Sequence, residues 1–103
     1  MAEPMKIRAS LVGDGTEVRV LMSHEMETGQ RKDAQGRIVP AWFIQSVTVN
    51  HAGRTVLAAQ FGPAIAKNPF LAFRFKGGAK GEKVAITWVD SKGDTRSDET
   101  TIA

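Results

Sequence analysis

Five consecutive residues, Ser23–Glu27, combine the side chains of a hydrolytic site: a serine hydroxyl, an imidazole and two carboxylates. A serine nucleophile needs a histidine base beside it, and that base needs a carboxylate to orient it. Neighbouring side chains diverge along a chain, however, so catalytic triads are assembled in space from separate segments. We therefore expect no catalytic residues here, and we interpret the chain as a protein that is not an enzyme.

The same segment supplies candidate metal ligands. His24, His51 and the two glutamates are suitable donors, but no His-x-His or His-x-x-His spacing and no cysteine accompanies them. The glycine-rich run Gly77–Gly81 lacks the spacing and the following helix of a phosphate-binding loop. The sequence therefore predicts neither a metal nor another cofactor, and we expect both histidines at the surface.

The composition is typical of one small soluble domain, which we expect to span residues 1–103. Hydrophobic residues make up 42% of the chain and charged residues 24%. The apolar runs are too short for a membrane-spanning helix, which needs about 20 residues, and the opening MAEPMKIRAS lacks the apolar segment of a secretory signal. Because cysteine is absent, any sulfur nucleophile that acts near this chain must come from another molecule.

Positive charge is concentrated in one stretch of the chain. Residues 54–83 contain six lysines and arginines against Glu82 alone, whereas residues 90–99 are net negative. This distribution suits docking to an acidic surface or attraction of small anions, although a solvated face is the simpler interpretation. Phe70–Gly77 interleaves aromatic and basic residues as base-stacking strands do, but alternating phenylalanines are more often core. We expect no nucleic-acid binding.

Alternation of apolar and polar residues predicts short strands and no helix. The expected strands lie in a hairpin over residues 5–22 and at Trp42–Val49, Thr55–Phe61, Phe70–Lys76, Lys83–Asp90 and Thr95–Ile102. The last strand is polar and charged, as expected of a sheet edge. Between the hairpin and the third strand, Ser23–Gly36 is predicted to be a long ordered loop, and loops of this length usually serve a purpose.

Seven short strands in about 100 residues favour an all-β fold, an immunoglobulin-like seven-stranded antiparallel β-sandwich. A small five- or six-stranded barrel is the alternative. Strict alternation in the third strand places Phe43, Val47 and Val49 on one face and Trp42 and Ile44 on the other. A strand that is apolar on both faces is either central or part of an interface, so Trp42 is a candidate for either location.

Three stretches of the sequence resemble the SoxZ family, the small subunit of the SoxYZ sulfur carrier of bacterial thiosulfate oxidation. They are VRVLMSHEMETGQRKDAQGRIVPAWFIQ at 18–45, GPAIAKNPFLAFRFKGG at 62–78 and ITWVDSKGD at 86–94. The resemblance extends from about Met5 to Thr101. It implies an immunoglobulin-like, non-catalytic subunit paired with SoxY, whose C-terminal Gly-Gly-Cys-Gly-Gly segment carries the sulfur intermediates covalently.

The resemblance also implies location and further partners. The complex is expected in the periplasm, exported with the signal of the partner, with transient docking to SoxAX, SoxB and SoxCD type enzymes. The lack of cysteine agrees with this role, since a second thiol could capture sulfur from the partner by exchange. A stand-alone β-sandwich module that binds nucleic acid or carbohydrate is the alternative function.

Candidate partner-binding residues are apolar anchors near the long loop and cations that would attract the anionic end of a bound sulfur adduct. They are Met22, His24, Met26, Arg31, Lys32, Trp42, Ile44, Lys67 and Phe70.

Overall fold

A computed structural model describes residues 3–103, which form seven antiparallel strands and no helix. The strands are β1 (Lys6–Val12), β2 (Gly15–Leu21), β3 (Ile44–His51), β4 (Arg54–Gln60), β5 (Phe70–Lys76), β6 (Lys83–Asp90) and β7 (Thr95–Thr101). The predicted strand number is confirmed, and the bounds of β5 and β6 agree residue for residue. No described segment forms a helix long and apolar enough to span a bilayer.

The strands pair into two separate sheets, one of three strands in the order β1-β2-β5 and one of four in the order β4-β3-β6-β7. This arrangement confirms the immunoglobulin-like sandwich rather than the barrel. Compared with the constant-type order, the fourth strand pairs with β3 instead of β5. The charged last strand, β7, is an edge strand as predicted. Ala103, just after β7, exchanges backbone hydrogen bonds with Ala9 and Leu11 of β1.

Alternating residues of both sheets form the core. Val18 and Val20 of β2 face Val84, Ile86 and the other inward side chains of the opposite sheet, all of them fully buried. The tryptophan of the core is Trp88 of β6, which is 1% exposed. Because Trp42 precedes β3 and remains partly exposed, it is not the core tryptophan of the sandwich.

A β-bulge at the start of β3 overturns the predicted division of its faces. The pairing with β6 shifts register between Ile44 and Ser46, so one extra residue is inserted there. A one-residue slip moves side chains to the opposite face, and Ile44 consequently points into the core with Val47 and Val49. The interpretation of Ile44 as an outward-facing residue is therefore wrong.

Residues 22–43, called here the long loop, connect β2 to β3 across the two sheets. Isolated bridges between Glu27 and Trp42 and between Lys32 and Ile38 fold it back on itself, and Asp33 caps its tip. The molecule measures 53 × 21 × 19 Å. Its long axis is about twice the length of a seven- or eight-residue strand. These dimensions indicate that the long loop extends the sandwich along the strand direction.

Candidate functional site

A buried polar cluster anchors the base of the long loop to the sandwich. His24 Nε2 lies 3.0 Å from Asp90 Oδ2 at the end of β6, and Trp42 Nε1 donates to the same oxygen at 2.7 Å. The side chains of His24 and Asp90 are 2% and 0% exposed. The expectation of surface histidines is therefore wrong, for His51 as well, because each histidine residue is only 6% exposed and its imidazole bonds a carboxylate.

The hydrogen bonds fix the orientation and tautomer of the His24 ring. The backbone N–H of Met26 donates to His24 Nδ1, so Nε2 carries the proton and donates to Asp90. Asp90 Oδ1 accepts from the backbone N–H groups of Lys92 and Asp94. Burial alone raises the pKa of Asp90, but the bonds from His24, Trp42 and these two backbone groups outweigh it and hold the pKa below its usual value.

The backbone around His24 is held as tightly as its side chain. His24 N–H donates to the Asn68 side-chain oxygen, and the Asn68 N–H donates back to the His24 carbonyl. Met26 adopts a left-handed conformation with φ of 53°, unusual for a long side chain, and its sulfur accepts the N–H of Ile44. Such strain persists where the surroundings determine it and is concentrated at functional sites.

A groove runs along this segment on the outside of the cluster. It consists of three adjoining concavities of about 300, 410 and 410 Å³. The first shares Glu3, Ser23 and Asn68 with the second and shares Glu25 and Lys67 with the third. We call this continuous depression the loop groove; it follows Leu21–Thr28, with Glu3–Lys6 and Lys67–Asn68 as its other walls.

On the floor of the loop groove, two backbone N–H groups have no acceptor within residues 3–103. The N–H of Met22 donates to the Pro69 carbonyl, that of His24 to the Asn68 side chain and that of Glu27 to the Trp42 carbonyl. No described residue accepts the N–H groups of Ser23 and Glu25. These two N–H groups can therefore donate backbone hydrogen bonds to an extended peptide that lies in the groove. The Ser23 hydroxyl donates to Glu3 at 3.2 Å and not to His24, so the structure does not assemble the serine and histidine into a catalytic pair.

The structure brings Arg31 and Lys67 together in the third concavity but leaves Lys32 outside it. The Nε and Nη2 groups of Arg31 donate to the two carboxylate oxygens of Glu27 at 3.0 and 2.7 Å. The ammonium nitrogen of Lys67 lies 3.2 Å from Oε2 of Glu25. The hydrogen bond from Arg31 is the main cause that holds the pKa of Glu27 below its usual value. Each cation therefore has a carboxylate partner, which reduces its attraction for a further anion.

The nine predicted partner-binding residues divide by burial. Trp42 is partly exposed, and four others carry exposed side chains: Arg31, Lys32, Lys67 and Phe70. Met22, Met26 and Ile44 are at most 5% exposed and belong to the core, and His24 is buried in the polar cluster. The reason for selecting Met22, Met26 and Ile44 as surface anchors is therefore wrong, because this core uses them itself.

Sequence reasoning missed two residues of the site. The sequence pattern places Asp90 only at a strand end and does not single out Asn68, yet both bind His24 from 66 and 44 positions away. No local sequence pattern indicates such partners. The two contacts form only when the segment after β2 packs against the end of β6 and the residues before β5. Within residues 3–103 no three side chains of the metal-ligating types converge on one point.

Comparison with known proteins gives a family and a fold. The sequence matches the family model described as "Sulphur oxidation protein SoxZ" over residues 5–101. A search of curated proteins finds no match.

Similar solved structures share the architecture at low sequence identity. A superoxide reductase in the oxidized state is 15% identical, with a TM-score of 0.62 over 96% of this chain and 86% of its own. A hypothetical protein from Pyrococcus horikoshii OT3 is 16% identical, with a TM-score of 0.66 over 99% and 89%. The superoxide reductase (neelaredoxin) of Ignicoccus hospitalis is 16% identical, with a TM-score of 0.60 over 98% and 80%. At these identities the likeness shows the fold alone.

Proposed function

This chain belongs to the SoxZ family of sulfur-oxidation proteins, and from that premise we propose that it is the non-catalytic subunit of a SoxYZ sulfur carrier. It pairs with and stabilises SoxY, and its loop groove receives the C-terminal segment of SoxY that carries sulfur intermediates on a cysteine. The complex works in the periplasm, to which it is exported with its partner, and presents surface to SoxAX, SoxB and SoxCD type enzymes.

The loop groove is the observation that carries this proposal. The N–H groups of Ser23 and Glu25, for which the described part of the chain holds no acceptor, offer hydrogen bonds that any extended peptide can use, whatever its side chains. A segment rich in glycine suits such a groove, since its backbone can approach closely without side-chain clashes. A cysteine between the glycines would then place its sulfur adduct among polar side chains.

The polar cluster beneath the groove makes the floor rigid. His24 bonds to Asp90, to Met26 and to Asn68, so the segment that lines the groove cannot shift without breaking buried hydrogen bonds. A rigid groove floor lowers the conformational entropy that is lost when a flexible partner segment binds. The chain itself supplies no thiol, so sulfur delivered to the groove stays on the cysteine of the partner.

Native mass spectrometry of the chain co-expressed with a SoxY partner tests the proposal. We expect a heterodimer, and after exposure to thiosulfate with the pathway's cytochromes we expect sulfur adducts on the SoxY subunit alone. A monomer that ignores SoxY would contradict the proposal. Binding of oligonucleotides or glycans by that monomer would instead favour the stand-alone β-sandwich module.

A further inference from the structure

The outer face of the three-stranded sheet carries an unusual concentration of positive charge. The pairing registers place five cations on it, with Glu17 as the single carboxylate; they are Lys6, Arg8, Arg19, Arg74 and Lys76. We call this surface the basic face. The corresponding surface of the four-stranded sheet is balanced in charge, because Lys83 pairs with Glu99 and the central rows hold Ser46, Thr48, Thr87 and Ser97. Charge on the sandwich is therefore concentrated on one side.

One cross-strand pair on the basic face is electrostatically unfavourable to the isolated fold. Arg8 and Arg19 lie directly opposite each other in the ladder between β1 and β2. Like charges in this arrangement destabilise a sheet. Arg19 and Arg74 share Glu17, while no described carboxylate forms an ion pair with Arg8. Glu17 therefore offsets only part of the repulsion, and a carboxylate from another molecule would offset the rest.

An exposed apolar pair lies on the same face. Leu21 and Phe70 are directly opposite each other in the ladder between β2 and β5, and they are 40% and 63% exposed. Leu21 also lines the second concavity of the loop groove, so the basic face is continuous with the groove. Exposed aromatic and arginine side chains together are typical of the energetic centres of protein interfaces.

We propose that the basic face is the surface on which an acidic protein partner, an enzyme that acts on the carried sulfur, docks transiently through its carboxylates, with Phe70 inserted in an apolar contact. This inference rests on the proposed function, which supplies the enzymes and the neighbouring cargo. Exposed charges act mainly on the rate of encounter, which suits a partner that must arrive and leave at each step. Docking here would bring the active site of that enzyme to the end of the loop groove.

Charge reversal on the basic face tests the proposal in the SoxY complex of this chain. The variant with Arg8→Glu and Lys76→Glu removes no ion pair among the described residues and places a carboxylate opposite Arg19, so its unfolding midpoint should not fall below that of the wild type. With a SoxB-type enzyme as the probe, we expect kcat/KM at low ionic strength to fall by about tenfold or more. The change should lie in KM, and it should shrink toward 1 M salt, where the Debye length is about 3 Å.

The control variant carries Arg54→Glu and Lys80→Glu, two exposed positions off the basic face. It has the same net charge as the test variant and should retain wild-type kinetics. Phe70→Ala should raise KM several-fold at every salt concentration, because an apolar contact is not screened.

Several results would overturn the proposal. Equal slowing in test and control variants would show that net charge alone matters, and unchanged kinetics would show that the face is not used. Loss of the SoxY heterodimer in the test variant would assign the face to the stable partner instead. If the wild-type chain does not pair with SoxY at all, the proposed function fails and this inference fails with it.

Discussion

The two histidines of the chain lie at opposite ends of the sandwich, and each is bonded to one carboxylate. At the end where the long loop leaves, His24 and Asp90 are both inaccessible to solvent and every nitrogen and oxygen of the two side chains has a partner. At the far end, His51 bonds to Glu82 at 2.9 Å, but Glu82 is 45% exposed and His51 Nδ1 has no partner among the described residues.

The difference shows what each end of the sandwich requires. A short turn of Ala52 and Gly53 joins β3 to β4 beside His51, so little structure depends on that hydrogen bond. Beside His24, by contrast, the chain must leave one sheet, form the long loop and enter the other sheet at Ile44. A complete buried network is the device that positions this segment and, with it, the loop groove.

The largest expected effect is the loss of stability on substitution of Asp90. Asp90→Ala leaves the buried Nε2–H of His24 and three partly buried donors, the indole N–H of Trp42 and two backbone N–H groups, without their acceptor. At on the order of 1 kcal/mol for each donor, we expect a cost of about 3 to 5 kcal/mol. Urea unfolding measures it. Asp94→Ala, which removes an exposed carboxylate from the adjacent turn, is the matched control and should change stability little. A comparable, small loss in both variants would contradict the importance assigned to the cluster.

A smaller effect is expected for Trp42→Phe. The phenyl ring keeps the aromatic contacts with His24 and with the ammonium of Lys92, which lies 4.4 Å from the ring centroid, but it removes the donor to Asp90. We expect a loss of about 1 to 3 kcal/mol, the cost of a buried hydrogen bond left unmade on one side. If Trp42→Phe proved neutral, the indole N–H would have no part in fixing Asp90.

The pH dependence of stability should report the contribution of Asp90. The pKa of Asp90 is lowered in the folded state, so its contribution is present above the unfolded value of 3.8 and is lost as the pH falls through the lower folded value. Acid titration of the unfolding midpoint should therefore be shallower in Asp90→Asn than in the wild type. Parallel acid slopes for these two proteins would contradict the assignment.

The smallest effect is expected at the far end, for Glu82→Gln. The pKa of Glu82 is also lowered, mainly by the hydrogen bond from His51, but the carboxylate is exposed to water, and such pairs contribute little. The amide oxygen can still accept from His51 and from the Ala79 N–H. We expect a thermal midpoint close to that of the wild type; a loss as large as that of Asp90→Ala would remove the contrast between the two ends.

Local alternation was sufficient to predict the strands and the sandwich, because period-2 patterns such as Val84, Ile86 and Trp88 report one buried face directly. It failed at Ile44, since a bulge changes the parity of a strand without a signature in the alternation itself. The groove could not be predicted either. Its floor depends on His24 meeting Asp90 and Asn68, contacts that exist only after the two sheets have packed.

Disulfide trapping tests most directly whether the loop groove receives the cysteine segment of the partner. The chain has no cysteine, so Ser23→Cys places a single thiol in the groove, and Ser97→Cys places one on the outer face of the four-stranded sheet as a control. In complex with SoxY under mild oxidation, we predict that Ser23→Cys forms a mixed disulfide with the partner's C-terminal cysteine at least about tenfold faster than Ser97→Cys, through its higher effective concentration. Equal rates at the two positions in a stable heterodimer would contradict the central claim.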